Sequence, residues 1–212
     1  MKRFRITFFL STLLFALSLQ AQTAVGEAQA KQMLQQISKA AQNTKSIDCQ
    51  FVQKKTMSFL NETMTSKGRL CFQSPSRLRW EYTTPTPYVF VINGGVVRIQ
   101  SKSGSNTIDL RANKRFQGIA QMMMNSVTGK NLAANGDFKT KMLTNGDEWI
   151  AELTPLRKDV KQMFSLIRLH FSQKQQMMTR VEMVEKNGDR TDIVLQNVKM
   201  NTKIDEKLFE IK

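Results

Sequence analysis

From Ser46 onward, apolar and polar side chains alternate with a period of two, in one short segment after another, to about residue 198. Successive side chains of a strand point to opposite faces, so such a segment reads as a strand buried on one side. Ile47, Cys49 and Phe51 share a side and are set against the polar Asp48, Gln50 and Gln53. Leu70 and Phe72 oppose Arg69, Cys71 and Gln73. Arg77-Leu78-Arg79-Trp80-Glu81-Tyr82 alternates without a break, and Ile167, Leu169 and Phe171 oppose Arg168, His170 and Ser172. Asn93-Gly94-Gly95, Ser103-Gly104-Ser105-Asn106, Asn145-Gly146-Asp147 and Asn187-Gly188-Asp189 punctuate the segments as turns. Ten or eleven strands at this spacing predict a mainly β, α+β chain built on one antiparallel sheet or open barrel.

Two stretches leave that rhythm. Residues 24–44 carry Met33, Leu34, Ile37, Ala40 and Ala41 at spacings of three and four, which predicts an amphipathic helix. In residues 114–130, Phe116, Ile119, Ala120, Met123 and Met124 suit a second, shorter helix ending near Gly129. Residues 155–165 mix charge with Leu156, Val160, Met163 and Phe164 and read as a loop of the kind that covers a pocket mouth. The strand phases set Cys49 among apolar neighbours and Cys71 on the outer face, so no bridge between them is expected. His170, the only histidine, falls on the polar side of its strand and is expected in water.

The first 21 residues form a separate unit. Lys2, Arg3 and Arg5 precede the apolar run Ile6 to Leu17, and a more polar end closes on Ala21. This is the layout of a secretory signal peptide cut near Ala21, and the run is shorter than the ~20 residues that span a bilayer. The remainder, 22–212, is expected to be one exported domain. Without the three leading cations the net charge falls from +15 to +12. In an exported chain with scattered Lys and Arg, that excess suits anionic membrane surfaces and acidic partners rather than nucleic acid. The clusters are Arg77 with Arg79, Lys114 with Arg115, and Arg157 with Lys158 and Lys161.

Two Cys and one His exclude the usual zinc sites. No phosphate-binding glycine loop, HExxH or nucleophile–base pairing stands out, and carboxylates are scattered, so no catalytic residue, metal or cofactor is assigned. The apolar supply is large: 13 Met, with Met122-Met123-Met124, Met177-Met178 and Met163-Phe164 able to repack around a variable ligand.

Taken in order, several motifs resemble a known family. They are Cys49-Gln50-Phe51-Val52-Gln53-Lys54, Gly68-Arg69-Leu70-Cys71-Phe72-Gln73-Ser74-Pro75, Arg77-Leu78-Arg79-Trp80-Glu81-Tyr82, Leu153-Thr154-Pro155, Asn187-Gly188-Asp189-Arg190-Thr191, and Asn201 with Ile204, Asp205 and Phe209. Together they are similar to the LolA-type periplasmic carriers of outer-membrane lipoproteins. The resemblance implies an open, strongly curved antiparallel half-barrel with helices over its concave face. It also implies a monomeric periplasmic chaperone without cofactor or covalent chemistry. Such a carrier takes acylated lipoproteins from an inner-membrane lipoprotein-releasing transporter, shields their acyl chains, and hands them to an outer-membrane acceptor or membrane surface. Phe51, Leu70, Phe72, Leu78, Trp80, Phe90, Ile92, Met123, Met124 and Phe164 are then the candidate acyl-cavity residues. Arg77, Arg79, Arg157, Lys158 and Lys161 are candidate lid or partner contacts. The family's lid-holding Arg before the first motif Pro is Ser74 here, and Leu78 replaces an aromatic. A lipid-binding accessory or sensor protein of the envelope with the same sheet is the alternative, and an envelope hydrolase is disfavoured by the missing catalytic constellation.

Overall fold

A computed structural model describes residues 22–210 except 131 and 133–135, and leaves the side chains of 114–116, 119, 122 and 126 undescribed. The leader therefore lies outside the described residues, as do the side chains of the Lys114–Arg115 cluster, Phe116 and Ile119. The strands are β1 (Thr23–Ala24), β2 (Ser46–Met57), β3 (Glu62–Gln73), β4 (Arg77–Thr84), β5 (Tyr88–Asn93), β6 (Val96–Ser101), β7 (Gly104–Asp109), β8 (Phe138–Asn145), β9 (Glu148–Pro155), β10 (Phe164–Ser172), β11 (Met178–Glu185) and β12 (Arg190–Met200). The helices are α1 (Glu27–Asn43), α2 (Lys114–Thr128) and α3 (Lys158–Met163), and a 3-10 turn covers Glu206–Phe209.

All described strands join one antiparallel sheet in the order β1-β8-β9-β10-β11-β12-β2-β3-β4-β5-β6-β7. The sheet is open, with β1 and β7 as its edges. Its concave face carries the alternating apolar set: Ile47, Cys49 and Phe51, then Leu70 and Phe72, Leu78 and Trp80, Ile92, Val97, Trp149 and Ala151, Leu169 and Phe171, Ile193 and Leu195. Met33 and Ile37 of α1 and Ala120, Met124 and Val127 of α2 complete the same core. The helices thus cover the concave face of a half-barrel, and this apolar burial is the main stabilising term.

Two glycines make close approaches possible. A Cβ on Gly68 would meet the Glu81 carbonyl and the Phe51 ring, so only glycine lets Phe51 lie flat across β3. Gly129, at φ +78°, ends α2 with its N–H donating to Asn125 O, and the turn fits against Ile37 and Phe171.

Four local expectations change. The first helix starts at Glu27, because Thr23 and Ala24 pair with Thr144 and Leu143 as a short edge strand. The second turn is tighter than its Gly and Ser content suggested, and β7 already begins at Gly104, opposite Ser101. Residues 158–163, read as loop, form α3, anchored by the buried Val160 with the Asp159 side chain accepting from its N–H. His170 is buried at 1 % exposure rather than in water, because long charged side chains of β9 and β11 close over it. Its Nδ1 lies 3.2 Å from Glu148 and its Nε2 3.5 Å from Glu182, which Arg180 pairs at 2.8 Å. The His170 side chain first, then the Arg180 guanidinium, hold the Glu182 carboxyl down to about 2.

The chain's last stretch crosses the convex face. Ile204 and Phe209 bury Cys71 completely, with Leu208 beside them. Cys71 lies on the outer face as the alternation requires, yet it is not open to solvent. Both cysteines are free. Burial pushes the Cys49 thiol up to about 12 and the Cys71 thiol up to about 11.

Candidate functional site

The concave core is not filled throughout. Between α2 and the sheet lies a cavity of about 470 Å³, within the range of small-molecule sites. One wall is aromatic: Trp80 and Tyr82 on β4, Tyr88 and Phe90 on β5, with Ile99 on β6. The opposite wall is mostly aliphatic and thioether, with one aromatic ring: Phe164 and Ile167 on β10, Met178, Val181 and Met183 on β11, and Ile193 on β12. Met123 and Val127 of α2 and Met163 at the end of α3 close the remaining side. β6 and β10 stand seven places apart in the sheet, which is roughly 34 Å if the sheet were flat. Their sharing of one cavity requires a strongly curved sheet.

The aromatic wall is stiff. Phe51 underlies it, its ring centre 5.0 Å from Trp80 and 5.1 Å from Tyr82, and Tyr82 stacks on Tyr88 at 4.4 Å. The Tyr82 hydroxyl donates to Gln53 Oε1 at 2.8 Å, which satisfies the most polar lining group. Burial raises the Tyr82 pKa. The methionine wall is soft, since unbranched thioethers reshape at little cost. Among the described residues, no Asp, Glu, Lys, Arg, His or Cys lines the cavity, and no group of three or more His, Cys, Asp or Glu is placed to hold a metal. Such a lining is chemically suited to hydrocarbon.

Of the ten candidate cavity residues, Trp80, Phe90, Met123 and Phe164 line this space. Phe51, Leu70, Phe72, Leu78, Ile92 and Met124 do not. They belong to the same core but lie deeper, at 0–7 % exposure, where the helices seal the sheet. Strand phase places a residue on a face. Depth along the strand decides between core and cavity, and phase carries no information about it. Tyr82, Tyr88, Ile99, Ile167, Val181, Met183 and Ile193 were missed for that reason, and Gln53 because it was counted with the polar side of β2, although it shares the phase of Phe51. Their signal was the same alternation, read further toward the ends of the strands.

The cations separate in the same way. Arg77 and Arg79 face outward and hold the C-terminal stretch instead of a helix. Arg79 donates to Leu208 O at 3.2 Å and pairs with Glu81, while Arg77 lies 3.6 Å from Glu206. Their strand phase put them on the convex side, away from α1 and α2. Arg157 does reach α2. Its guanidinium pairs with Asp159 at 2.7 Å and Asp137 at 3.7 Å and lies so close to Gly118 that a Cβ there would come within 2.9 Å. Lys158 and Lys161 stand exposed on α3 and make no ion pair among the described residues.

A family model described as outer membrane lipoprotein carrier protein LolA matches residues 42–212. The chain belongs to the LolA family. Named outer-membrane lipoprotein carrier proteins are similar to it along most of their length. One, from Legionella pneumophila (strain Paris), is 26 % identical over 152 residues, 72 % of each chain. Another, from Coxiella burnetii (strain CbuK_Q154), is 29 % identical over 149 residues, 69 % of this chain and 67 % of that one. Among solved structures, an uncharacterized conserved protein of Thermus thermophilus aligns at TM-score 0.53 and 10 % identity, covering 87 % of this chain and 94 % of that one. MucB aligns at TM-score 0.50 and 12 % identity, with 88 % of this chain matched to 64 % of MucB. At these identities the structures report a shared fold. The LolA family is not an enzyme family.

Proposed function

We propose that this chain is a periplasmic carrier that shelters the acyl chains of lipoproteins and moves them from inner to outer membrane. The observation that carries the reading is the 470 Å³ cavity, lined by aromatic, aliphatic and thioether side chains and, among the described residues, by no ionisable group other than tyrosine. The carrier names of its relatives support the same reading. In this account residues 1–21 direct export and are removed near Ala21, and 22–212 act as one monomeric unit. The donor is an inner-membrane lipoprotein-releasing transporter, and the recipient is an outer-membrane acceptor or the membrane surface.

Removing acyl chains from water is favourable by about 0.8 kcal/mol per methylene. Ten sheltered methylenes contribute on the order of 8 kcal/mol before ordering costs. Capture is therefore easy and release is the difficulty. A lining that holds by contact alone, with soft methionines on one side, exchanges its ligand without breaking strong polar bonds.

Mass spectrometry of material co-purifying with the mature chain from the envelope tests the reading. Triacylated lipoprotein supports carriage. Free lipid alone supports the accessory or sensor role, and a chain recovered empty after gentle purification speaks against both.

A further inference from the structure

Among the described residues, six large apolar side chains are well exposed: Phe59 (93 %), Leu60 and Leu156 (55 %), Met64 (49 %), Tyr88 (38 %) and Val194 (37 %). All but Val194 sit at one end of the sheet. Phe59 and Leu60 form the β2–β3 turn, Met64 follows on β3, Tyr88 opens β5, and Leu156 follows β9. The cavity is displaced toward this same end, where Gln53, Tyr82, Tyr88 and Phe164 line it. Tyr88 belongs to both the cavity wall and the exposed set.

The tip is held in place. The Ser58 N–H donates to Asp189 Oδ1 at 2.9 Å, and the Ser58 hydroxyl donates to Asn187 O at 2.9 Å. The β2–β3 turn is thereby tied to the β11–β12 turn, and Asn61 at φ +51° closes it. Phe59 is presented to solvent by an anchored backbone. Large exposed apolar side chains gathered at one end of a sheet, with Phe59, Leu60 and Met64 close in sequence, mark an interaction site. The charges around it choose the partner. Lys54, Lys67, Lys102, Lys158 and Lys161 are exposed on the surrounding strands, turn and helix and make no ion pair among the described residues. Exposed Glu62 beside the turn offsets one of these five charges, and an apolar projection with a net cationic surround matches an anionic bilayer, with headgroups outside and hydrocarbon within.

We propose that this rim docks on an anionic membrane surface, with Phe59 and Leu60 inserted among the acyl chains and the cavity mouth facing the bilayer. The proposal deepens the carrier reading by naming the surface at which the cavity loads or empties, and its measurement needs no cargo.

The test uses the mature chain and vesicles of phosphatidylcholine with or without phosphatidylglycerol. The wild-type chain binds the anionic vesicles. F59S/L60S binds them at least about tenfold more weakly, because two apolar side chains no longer enter the bilayer. It unfolds at the same urea concentration as wild type, since both residues are exposed. K158E/K161E binds more weakly at low salt, and the difference shrinks as salt is raised. Phe59→Trp adds emission that shifts to the blue on binding and is quenched by brominated lipid. Wild-type chain that ignores anionic vesicles, F59S/L60S that binds like wild type, or a Phe59→Trp signal untouched by brominated lipid overturns the proposal. Binding of the rim to a protein acceptor but to no vesicle overturns it as well. The carrier reading is scored separately by what co-purifies with F59S/L60S: an unchanged cargo leaves that reading intact whatever the vesicles report.

Discussion

A charge placed in the cavity gives a quantitative test of the acyl-binding reading. Leu78 is the wrong site, because it has no exposure and a charge there breaks the core. Ile99 is better. It lines the cavity, is only partly buried, and pairs in register with Phe90 on one side and Asn106 on the other, with no charged neighbour in that row. In the empty Ile99→Glu protein, water entering the cavity solvates the carboxylate. When an acyl chain fills the cavity, the carboxylate either loses that water or takes up a proton. Protonation is the less costly route and sets the ceiling. With an ordinary Glu pKa near 4.3, neutralising the group at pH 7.5 costs about 4.4 kcal/mol, a roughly thousandfold loss of affinity. At pH 5.5 the same step costs about 1.6 kcal/mol, roughly fifteenfold. The signature is therefore a deficit that recovers by about two orders of magnitude as pH falls from 7.5 to 5.5. Titration with a fluorescent acyl lipopeptide reads it, with Ile99→Gln as the uncharged control whose smaller deficit does not move with pH. Ile99→Glu binding within threefold of wild type at pH 7.5, or a deficit that stays constant with pH, refutes acyl occupancy of this wall.

Three further outcomes follow from the fold. Gly68→Ala drives a Cβ into the Glu81 carbonyl and the Phe51 ring, and about 3 kcal/mol of stability should disappear as a lower urea midpoint. Glu182 is held down to about 2 in the folded state, so its contribution is full above the unfolded carboxylate pKa near 4.5 and is lost as pH falls from there toward 2. Glu182→Gln should flatten that limb of the stability profile, and an unchanged acid limb would count against the His170–Glu182–Arg180 cluster. With thiols raised to about 12 and about 11, neither Cys49 nor Cys71 should alkylate measurably in the native protein at pH 8. Both should react at once in urea.

Alternation carried most of the sheet, because half-buried strands leave a period-two trace in local sequence. It placed Trp80 and Phe90 on the concave face and Arg79 and Cys71 on the convex one. What it could not carry was anything that depends on a second segment. Cys71 is covered because residues 204–209 return across the outer face, and His170 because charges on β9 and β11 meet over it. Both contacts join residues far apart in sequence. α3 was hidden by its shortness: six residues give too few turns for a helical period to register beside their charges. The split between core and cavity depends on where α1 and α2 end above the sheet, which a strand's own residues do not encode. Phe59 and Leu60 stood beside a strand pattern that counts apolar residues as buried, so their exposure became visible only in three dimensions.

The central claim is that acyl chains occupy the concave cavity. A photo-crosslinking residue at Met123, on the helix facing that space, and another at Val194, on the convex face, test it in the living envelope. The account predicts an adduct with acylated lipoprotein at position 123, lost when the lipoprotein's acylated cysteine is replaced, and none at position 194. Equal adducts at both positions, or adducts at 194 alone, would contradict it.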